Sequence, residues 1–379
     1  MIKELKLTNF RKFEKLSLIF NERVTIIYSD NAVGKSTILE AIHIITNQFS
    51  PFSSDNNEIY NIWQEEPDSH FRIEVRNKLD DDEEQLAHFQ DRKSRQYFRN
   101  RAKTTRKKLT ENVASVIFSP EQIEILMLSP DRRRDFIDEV IARLDPDYQD
   151  NLKILRRTLK QRNSQLKKLS KIFYESGIVR ENDQQLAYWT KQFAHISSQV
   201  MQKRAETIDL LCNDLQKLIY LPSVSINILS DMVKYTELVE LHLEQLQTST
   251  KRDIAVGHST VGAHRDDWKI MAISNEKNGV DHSQAKDVRK FGSRGEKRMA
   301  VGRLILTSHT LLQEKLGFAP TLLLDDISSE LDQGNTVKIL QDAISRGAQL
   351  IITTIHLEEI PEEIRDQAEV LNLSELLRD

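Results

Sequence analysis

Cysteine is almost absent from this chain, with one residue, Cys212, in 379. A disulfide within the chain is therefore excluded, and a reducing compartment fits. Cys212 lies in the helical run Leu210-Leu211-Cys212 and reads as a small buried apolar filler. Glycine (11) and proline (8) are scarce as well, which argues against long disordered linkers. No stretch approaches the roughly 20 apolar residues of a membrane span. The opening Met1-Ile2-Lys3-Glu4-Leu5 lacks the charged-then-apolar layout of a secretion signal. The expected location is cytoplasmic, with no membrane partner. No internal repeat or low-complexity segment is visible, and a net charge of −4 does not by itself suggest nucleic acid.

What is present is a globular composition with a highly charged surface, 39% hydrophobic and 30% charged, long enough for two domains with cores of their own. Residues 2–28 read as strands, the last of them the continuous apolar run Val24-Thr25-Ile26-Ile27-Tyr28. A helical period follows in Ile38, Leu39, Ala41, Ile42 and Ile45. Strand-like segments recur around Phe71-Ile73-Val75 and Val113–Phe118, separated by a basic middle. From about 121 to 250 the pattern is nearly all helix. Leu152, Leu155, Leu159, Leu166, Leu169 and Phe173 follow steps of three and four, interrupted at the seam by Arg162. That interruption predicts a compact helical domain rather than a long coiled coil. Strand and helix signals return after about 255: Trp268–Ile273, a helix from about Gly295 to Leu316, strand Thr321–Leu324, a helix near 334–346 and strand Gln349–Thr354.

Two short segments at opposite ends carry the chemistry. Ser29-Asp30-Asn31-Ala32-Val33-Gly34-Lys35-Ser36-Thr37 stands between a strand and a helix and ends in the Gly-Lys-Ser of a phosphate-binding loop. Backbone N–H groups of such a loop form an anion cradle, with Lys35 as the mobile cation and the Ser36 hydroxyl as a Mg²⁺ ligand. Ser29 and Ala32 occupy positions where glycine is usual, which restricts the backbone near the phosphates. The second segment, Thr321-Leu322-Leu323-Leu324-Asp325-Asp326, is an apolar strand ending on two carboxylates. Asp325 is placed to hold Mg²⁺ and Asp326 to polarise the attacking water. With Asp rather than the longer Glu at that place, slow hydrolysis is expected. The bland readings are a chance Gly-Lys-Ser turn and a pair of helix-capping aspartates. If the two segments meet, the fold joins the chain ends and pushes the middle outward.

Gly292-Ser293-Arg294-Gly295-Glu296-Lys297-Arg298 opens a helix and resembles the signature segment of the ATP-binding-cassette superfamily. There, a Ser hydroxyl and a Gly N–H at a helix N-terminus serve the γ-phosphate bound by the partner subunit. The resemblance implies an isologous dimer with two ATP molecules between the copies, completed here by Ser293 and Gly295. A plain N-cap at Ser293 is compatible with this. Ser329-Glu330-Leu331-Asp332 resembles the dimer-contacting segment after the carboxylate strand. His356 lies near the superfamily's γ-phosphate-sensing histidine and reads first as a plain loop histidine.

Several further segments complete a more specific likeness. They are Leu7-Thr8-Asn9-Phe10-Arg11, Phe118-Ser119-Pro120-Glu121, Ser129 through Asp138, Leu159-Lys160-Gln161-Arg162-Asn163 and Gly262-Ala263-His264-Arg265-Asp266-Asp267. Together with the three motifs above, and in this order, they resemble the RecF family, recombination and gap-repair ATPases related to SMC proteins. The likeness covers most of the chain. It implies an α/β fold: an ABC-type (P-loop NTPase) ATPase head built from 1–120 and 255–379, with a mainly helical second lobe from 121–254. It also implies ATP and Mg²⁺ as cofactors, slow ATPase activity and an ATP-dependent homodimer. The expected ligands are double-stranded DNA or single-strand/duplex gap junctions, with RecR and RecO as partners in loading RecA. Departures are Ser29 and Ala32, Ala263 for the usual Pro, and Arg294 and Glu296-Lys297 where the family usually has Gln.

Positive charge is gathered in two acid-free runs. Arg92, Lys93, Arg95, Arg99, Arg101, Lys103, Arg106, Lys107 and Lys108 form the first and are the candidate DNA contacts. Tyr97-Phe98 within it read as core packing more than as base-stacking residues. Lys153, Arg156, Arg157, Lys160, Arg162, Lys167, Lys168 and Lys171 form the second. The alternative is that these are solvated faces, or pair with Asp80–Glu84 across a hairpin. Two rival functions remain at this stage: a nucleotide-independent DNA-binding scaffold with a degenerate loop, and the ATPase subunit of an SMC-like defence system. The inserted middle and the basic runs disfavour a transporter ATPase.

Overall fold

The computed structural model describes residues 1–52, 70–79, 82–120, 129–145, 147–212, 218–221, 235–272, 275–276, 279–280, 286–326, 337, 340–341 and 343–377. Ser329–Asp332, Asp80, Asp81 and Glu121, singled out above, lie outside them. The chain forms two compact units, Met1–Glu124 with Arg294–Asp379, and Ile125–Ser293.

The first unit is built from two sheets with a helix between them. Strands β1 (Ile2–Phe10) and β2 (Phe13–Ile19) form a hairpin. Strand β3 (Val24–Tyr28) runs through the loop into α1 (Lys35–Asn47). Strands β4 (His70–Leu79), β5 (Asp82–Asp91), β6 (Arg95–Arg99) and β7 (Ala102–Thr104) extend the hairpin into an antiparallel sheet of order β2-β1-β4-β5-β6-β7. Helix α2 (Arg106–Leu109) and strand β8 (Ser115–Phe118) follow. The remaining strands of this unit are β14 (Thr321–Asp325), β15 (Leu350–Thr354) and β16 (Ala368–Asn372). They join β3 and β8 in a wholly parallel sheet of order β16-β3-β15-β14-β8. Every residue of β14 and β15 is buried, as a strand covered on both faces requires. Helix α1 contributes Ile38, Leu39, Ile42 and Ile45 to one core with Leu5, Leu7 and Phe71 of the first sheet and Ile27, Leu323 and Ile351 of the second.

The second unit holds α3 (Pro130–Leu144), α4 (Tyr148–Ser176), α5 (Gln184–Cys212), α6 (Tyr235–Thr248) and α7 (Thr250–Val256). Its strands are β9 (Leu218–Leu221), β10 (Asp267–Ala272), β11 (Asn275–Glu276), β12 (Gly279–Val280) and β13 (Lys286–Asp287), and α8 (Val288–Phe291) closes it. Helix α9 (Arg294–Leu316) returns the chain to the first unit, which ends with α10 (Glu362–Arg365) and α11 (Leu373–Leu376). The second unit runs to Ser293, whereas the sequence reading ends the helical lobe at 254. The cause is β10, a strand signal that suits either unit. It pairs with β9 and β13, and its Asp267 pairs with Arg133 of α3 at 2.6 Å.

Helices α4 and α5 have 29 residues each, about 44 Å of helix apiece. Arg162 explains how a cation sits in their seam. Its side chain is fully buried against the equally buried Asp253 of α7 at 2.9 Å. It also donates to Thr190 Oγ1 at 3.1 Å and Ser259 Oγ at 2.6 Å. Arg162 therefore leaves the second basic run, while Lys153, Arg156, Arg157, Lys160, Lys167, Lys168 and Lys171 are exposed on α4. A second buried centre joins Arg204 to Asp138 through two 2.8 Å bonds, to Asp266 at 3.1 Å and to the Ala263 carbonyl. The segment Gly262–Asp267 thus anchors this unit's interior. Cys212 is half-buried at the end of α5.

Candidate nucleotide site

The two segments singled out at the chain ends meet at the C-terminal edge of the parallel sheet. β3 and β14 both flank β15, so the loop after β3 and the carboxylates ending β14 open on the same side. Ser36 Oγ, 289 residues away in sequence, donates to Asp325 Oδ1 at 3.0 Å.

Local sequence explains the loop. Gly34 enters α1 with φ 113°, a left-handed value, and a Cβ there would stand 2.6 Å from the Phe13 ring. Both constraints demand glycine. No side chain caps α1, and its first turn carries no acid. Its first N–H groups are therefore left for an anion, which the helix dipole favours. Ala32 takes φ 61°, the conformation a glycine would adopt freely. Ser29 is buried, and its hydroxyl turns to the Asp30 carbonyl at 3.2 Å. Asp30, Asn31 and Ala32 are exposed, while Val33 packs on the core. Thr37 is half-buried in the first turn of α1.

The Lys35 amine folds back into the loop, donating to the carbonyls of Ser29 at 2.6 Å and Asp30 at 2.9 Å. Burial lowers its pKa below the ordinary lysine value, while Asp326, Asp325 and Asp30 oppose that shift. The amine thus faces three carboxylates and sits where a phosphate would meet it. Asp325 is almost wholly buried, and its Oδ1 also accepts from Thr353 Oγ1 at 2.6 Å. Asp326 follows the strand at φ 47°, and its N–H is shared between the Thr353 carbonyl (3.1 Å) and hydroxyl (3.2 Å).

Thr353 is therefore a candidate site residue that sequence reading missed. The run Ile351-Ile352-Thr353-Thr354 signals a strand, but only the strand order puts Thr353 opposite Asp325. Likewise, nothing in the sequence tells that the β1–β2 turn lies on the loop. In the structure Lys12 Nζ donates to the Ala32 carbonyl, and Arg11 pairs with Glu40 of α1 at 2.6 Å. Ser293 and Gly295 stand exposed at the opening of α9. His356 is exposed, its Nδ1 3.9 Å from Glu358.

The basic run 92–108 folds into two hairpin turns, and its charge is divided. Asn100 and Arg101 both take positive φ, as a two-residue turn between right-twisted strands needs. Tyr97 packs on the core and Phe98 lies on the opposite face under Arg72, 5.7 Å from its ring centre. By alternation Arg95 and Arg99 share the Tyr97 face, while Lys103, paired with Phe98, lies on the other. Arg99 is held by Glu84 at 2.5 Å and Glu111 at 3.3 Å. The hairpin pairing with acids weighed above thus holds for Arg99, whose charge is already matched. Arg92, Lys93, Arg95, Arg101, Lys103, Lys107 and Lys108 are exposed, and Arg106 is half-buried.

The profile of the RecF/RecN/SMC N terminal domain family matches residues 1–372. A DNA replication and repair protein RecF from Lachnoclostridium phytofermentans is 32% identical over 367 residues, covering 95% of this chain and 94% of its own. The chain belongs to the RecF family. The Bacillus cereus RecF is 28% identical over 396 residues, covering 98% and 96% of the two chains. A solved structure of "the recombination mediator protein RecF-ATPrS in RecFOR pathway" superposes with a TM-score of 0.80 at 28% identity, covering 95% of this chain and 94% of that one. Its ATP counterpart gives 0.77, also at 28% identity, over 94% and 93%. The fold is accordingly that of a RecF-type ABC ATPase. Among the described residues no helix is long and apolar enough to cross a membrane.

Proposed function

We propose that this RecF-family chain is an ATP-dependent DNA-binding protein of recombinational repair and replication-fork maintenance, cytoplasmic, with slow ATP hydrolysis. The observation that carries this reading is the meeting of Ser36 with Asp325 at 3.0 Å beside the Lys35 loop. Two oxygen ligands so placed, on the helix start and on a buried strand end, fit a hard divalent cation. Bound Mg²⁺ supplies neutralisation of charge on the outer phosphates. Lys35 and the first-turn N–H groups of α1 bind the phosphates, and Ser36 and Asp325 hold the metal. Asp326 orients the attacking water and takes up its proton. The likeness to RecF bound to ATP supports ATP as the nucleotide.

Ser293 and Gly295, exposed at a helix opening, suit the role of completing a second copy's site, so dimerisation follows ATP. Arg92, Lys93, Arg101, Lys103, Lys107 and Lys108 suit contacts to the phosphates of duplex DNA or a gap junction, without base readout. Similarity to a mediator of the RecFOR pathway supports RecR and RecO as partners in loading RecA.

The test is DNA affinity with and without ATP across a salt series. ATP should tighten binding by the wild-type chain and leave Lys35→Ala unchanged. Replacing Lys103, Lys107 and Lys108 by Ala should flatten the salt slope by up to about 3, close to one unit per lost phosphate contact. An affinity indifferent to ATP would point instead to a nucleotide-independent scaffold.

A further inference from the structure

A left-handed backbone is unfavourable for any residue with a Cβ other than Asn or Asp, yet Ala32 holds φ 61° in the middle of the phosphate loop. Something outside the loop must favour that conformation.

The β1–β2 turn is the element that touches it. Lys12, exposed, donates its amine to the Ala32 carbonyl. Its stem lies along the loop, with Cδ 3.0 Å from where a Cβ on Gly34 would stand. The turn itself is pinned at two points. Phe13, buried, fits beneath Gly34. Arg11 forms a two-bond ion pair, 2.6 and 2.9 Å, with Glu40, which is 2% exposed on α1. Lys12 is therefore presented to the loop from a fixed base.

We infer that Lys12 is a strut for the phosphate loop: its amine holds the Ala32 carbonyl and fixes the left-handed turn that glycine would adopt unaided. It is a positioning residue, acting on nucleotide through Ala32. The inference rests on the nucleotide-binding reading only for its effect on affinity. The strut itself is a contact within the protein, between Lys12 and the Ala32 carbonyl.

The test is a double-substitution cycle on the full chain, read by titration with a fluorescent ATP analogue. Lys12→Met, which keeps the stem and loses the charge, should weaken binding about five-fold, the scale of one exposed charge-assisted hydrogen bond. In the Ala32→Gly background the same change should cost under about two-fold, because glycine no longer needs the support. Lys12→Arg should stay within about two-fold of wild type, since its guanidinium also donates to a carbonyl. Equal losses in both backgrounds would overturn the inference and put Lys12 on the nucleotide itself; no loss in either would also overturn it. Thermal unfolding without nucleotide gives the second readout. Lys12→Met should lower the midpoint in the wild-type background and leave it unmoved in the Ala32→Gly background. Additive shifts contradict the strut even if the wild-type chain binds the analogue no better than Lys35→Ala, a result that would sink the nucleotide reading separately.

Discussion

Asp326, the residue after β14, takes a left-handed conformation, φ 47°. Asp tolerates that region far better than Glu does, because its short carboxylate can bond locally. The backbone thus gives a physical reason for the shorter acid at the position proposed to polarise water. Asp326→Asn keeps both size and conformational tolerance while removing the base. Hydrolysis should fall about 10²–10⁴-fold, while ATP affinity stays within about three-fold, as expected for loss of a group acting mainly in the transition state. Single-turnover kinetics beside equilibrium binding would show it. A parallel loss of affinity would mean that Asp326 is a ligand holder. The Thr353 hydroxyl donates to the Asp325 carboxylate and accepts the backbone N–H of Asp326. Thr353→Val preserves shape and should raise the Mg²⁺ concentration for half-maximal activity about ten-fold, the usual scale for a group that orients a metal ligand. Unchanged Mg²⁺ dependence would reduce Thr353 to a packing residue.

At the scale of elements, legibility followed burial. The strands β3, β14 and β15 are continuous apolar runs covered on both faces, so their sequence declares them. The phosphate loop and the carboxylate strand were readable for the same reason, each being bound to such a strand. β6 and β7 were not, because both are short and dressed in Arg and Lys, and β7 stands at the sheet's edge, so they carry almost no apolar alternation. A linear count of charge also could not reveal that Arg99 is matched by Glu84, or that Arg162 is interior. Arg162 shows why: its partner Asp253 lies 91 residues away. Such a pair fixes the alignment of α4 with α7 more than it adds stability. Arg162→Met leaves the Asp253 carboxylate in the interior without its cation and should destabilise this unit by about 3–5 kcal/mol. Adding Asp253→Leu should recover much of that loss, since an apolar pair of similar volume is tolerated. Chemical denaturation followed by helical circular dichroism would measure both, and a double variant worse than the single one would contradict the argument.

For the whole molecule, three histidines set a response to acid, His88 and His242 buried and His264 half-buried. Burial lowers His88 to about 3, and His242 and His264 to about 4 each. Below the unfolded pKa near 6.5 the unfolded chain takes up protons that the folded chain refuses. Stability should therefore decline as pH falls from about 6.5 toward 4, with an upper limit near 1.4 kcal/mol per pH unit for each histidine. Melting midpoints across that window would test it, and a flat profile would contradict it. The larger claim is that two segments at opposite ends of the chain serve one triphosphate and one cation. Its most direct measurement is a calorimetric titration of ATP with Mg²⁺ into the wild-type chain, Lys35→Ala, Asp325→Asn and the double variant. We predict that each single change weakens binding by about ten-fold or more, the scale of a lost charged contact, and that the double variant loses clearly less than the product of the two, because the groups are coupled. Losses that multiply independently, or an Asp325→Asn chain that binds like wild type, would contradict a shared site.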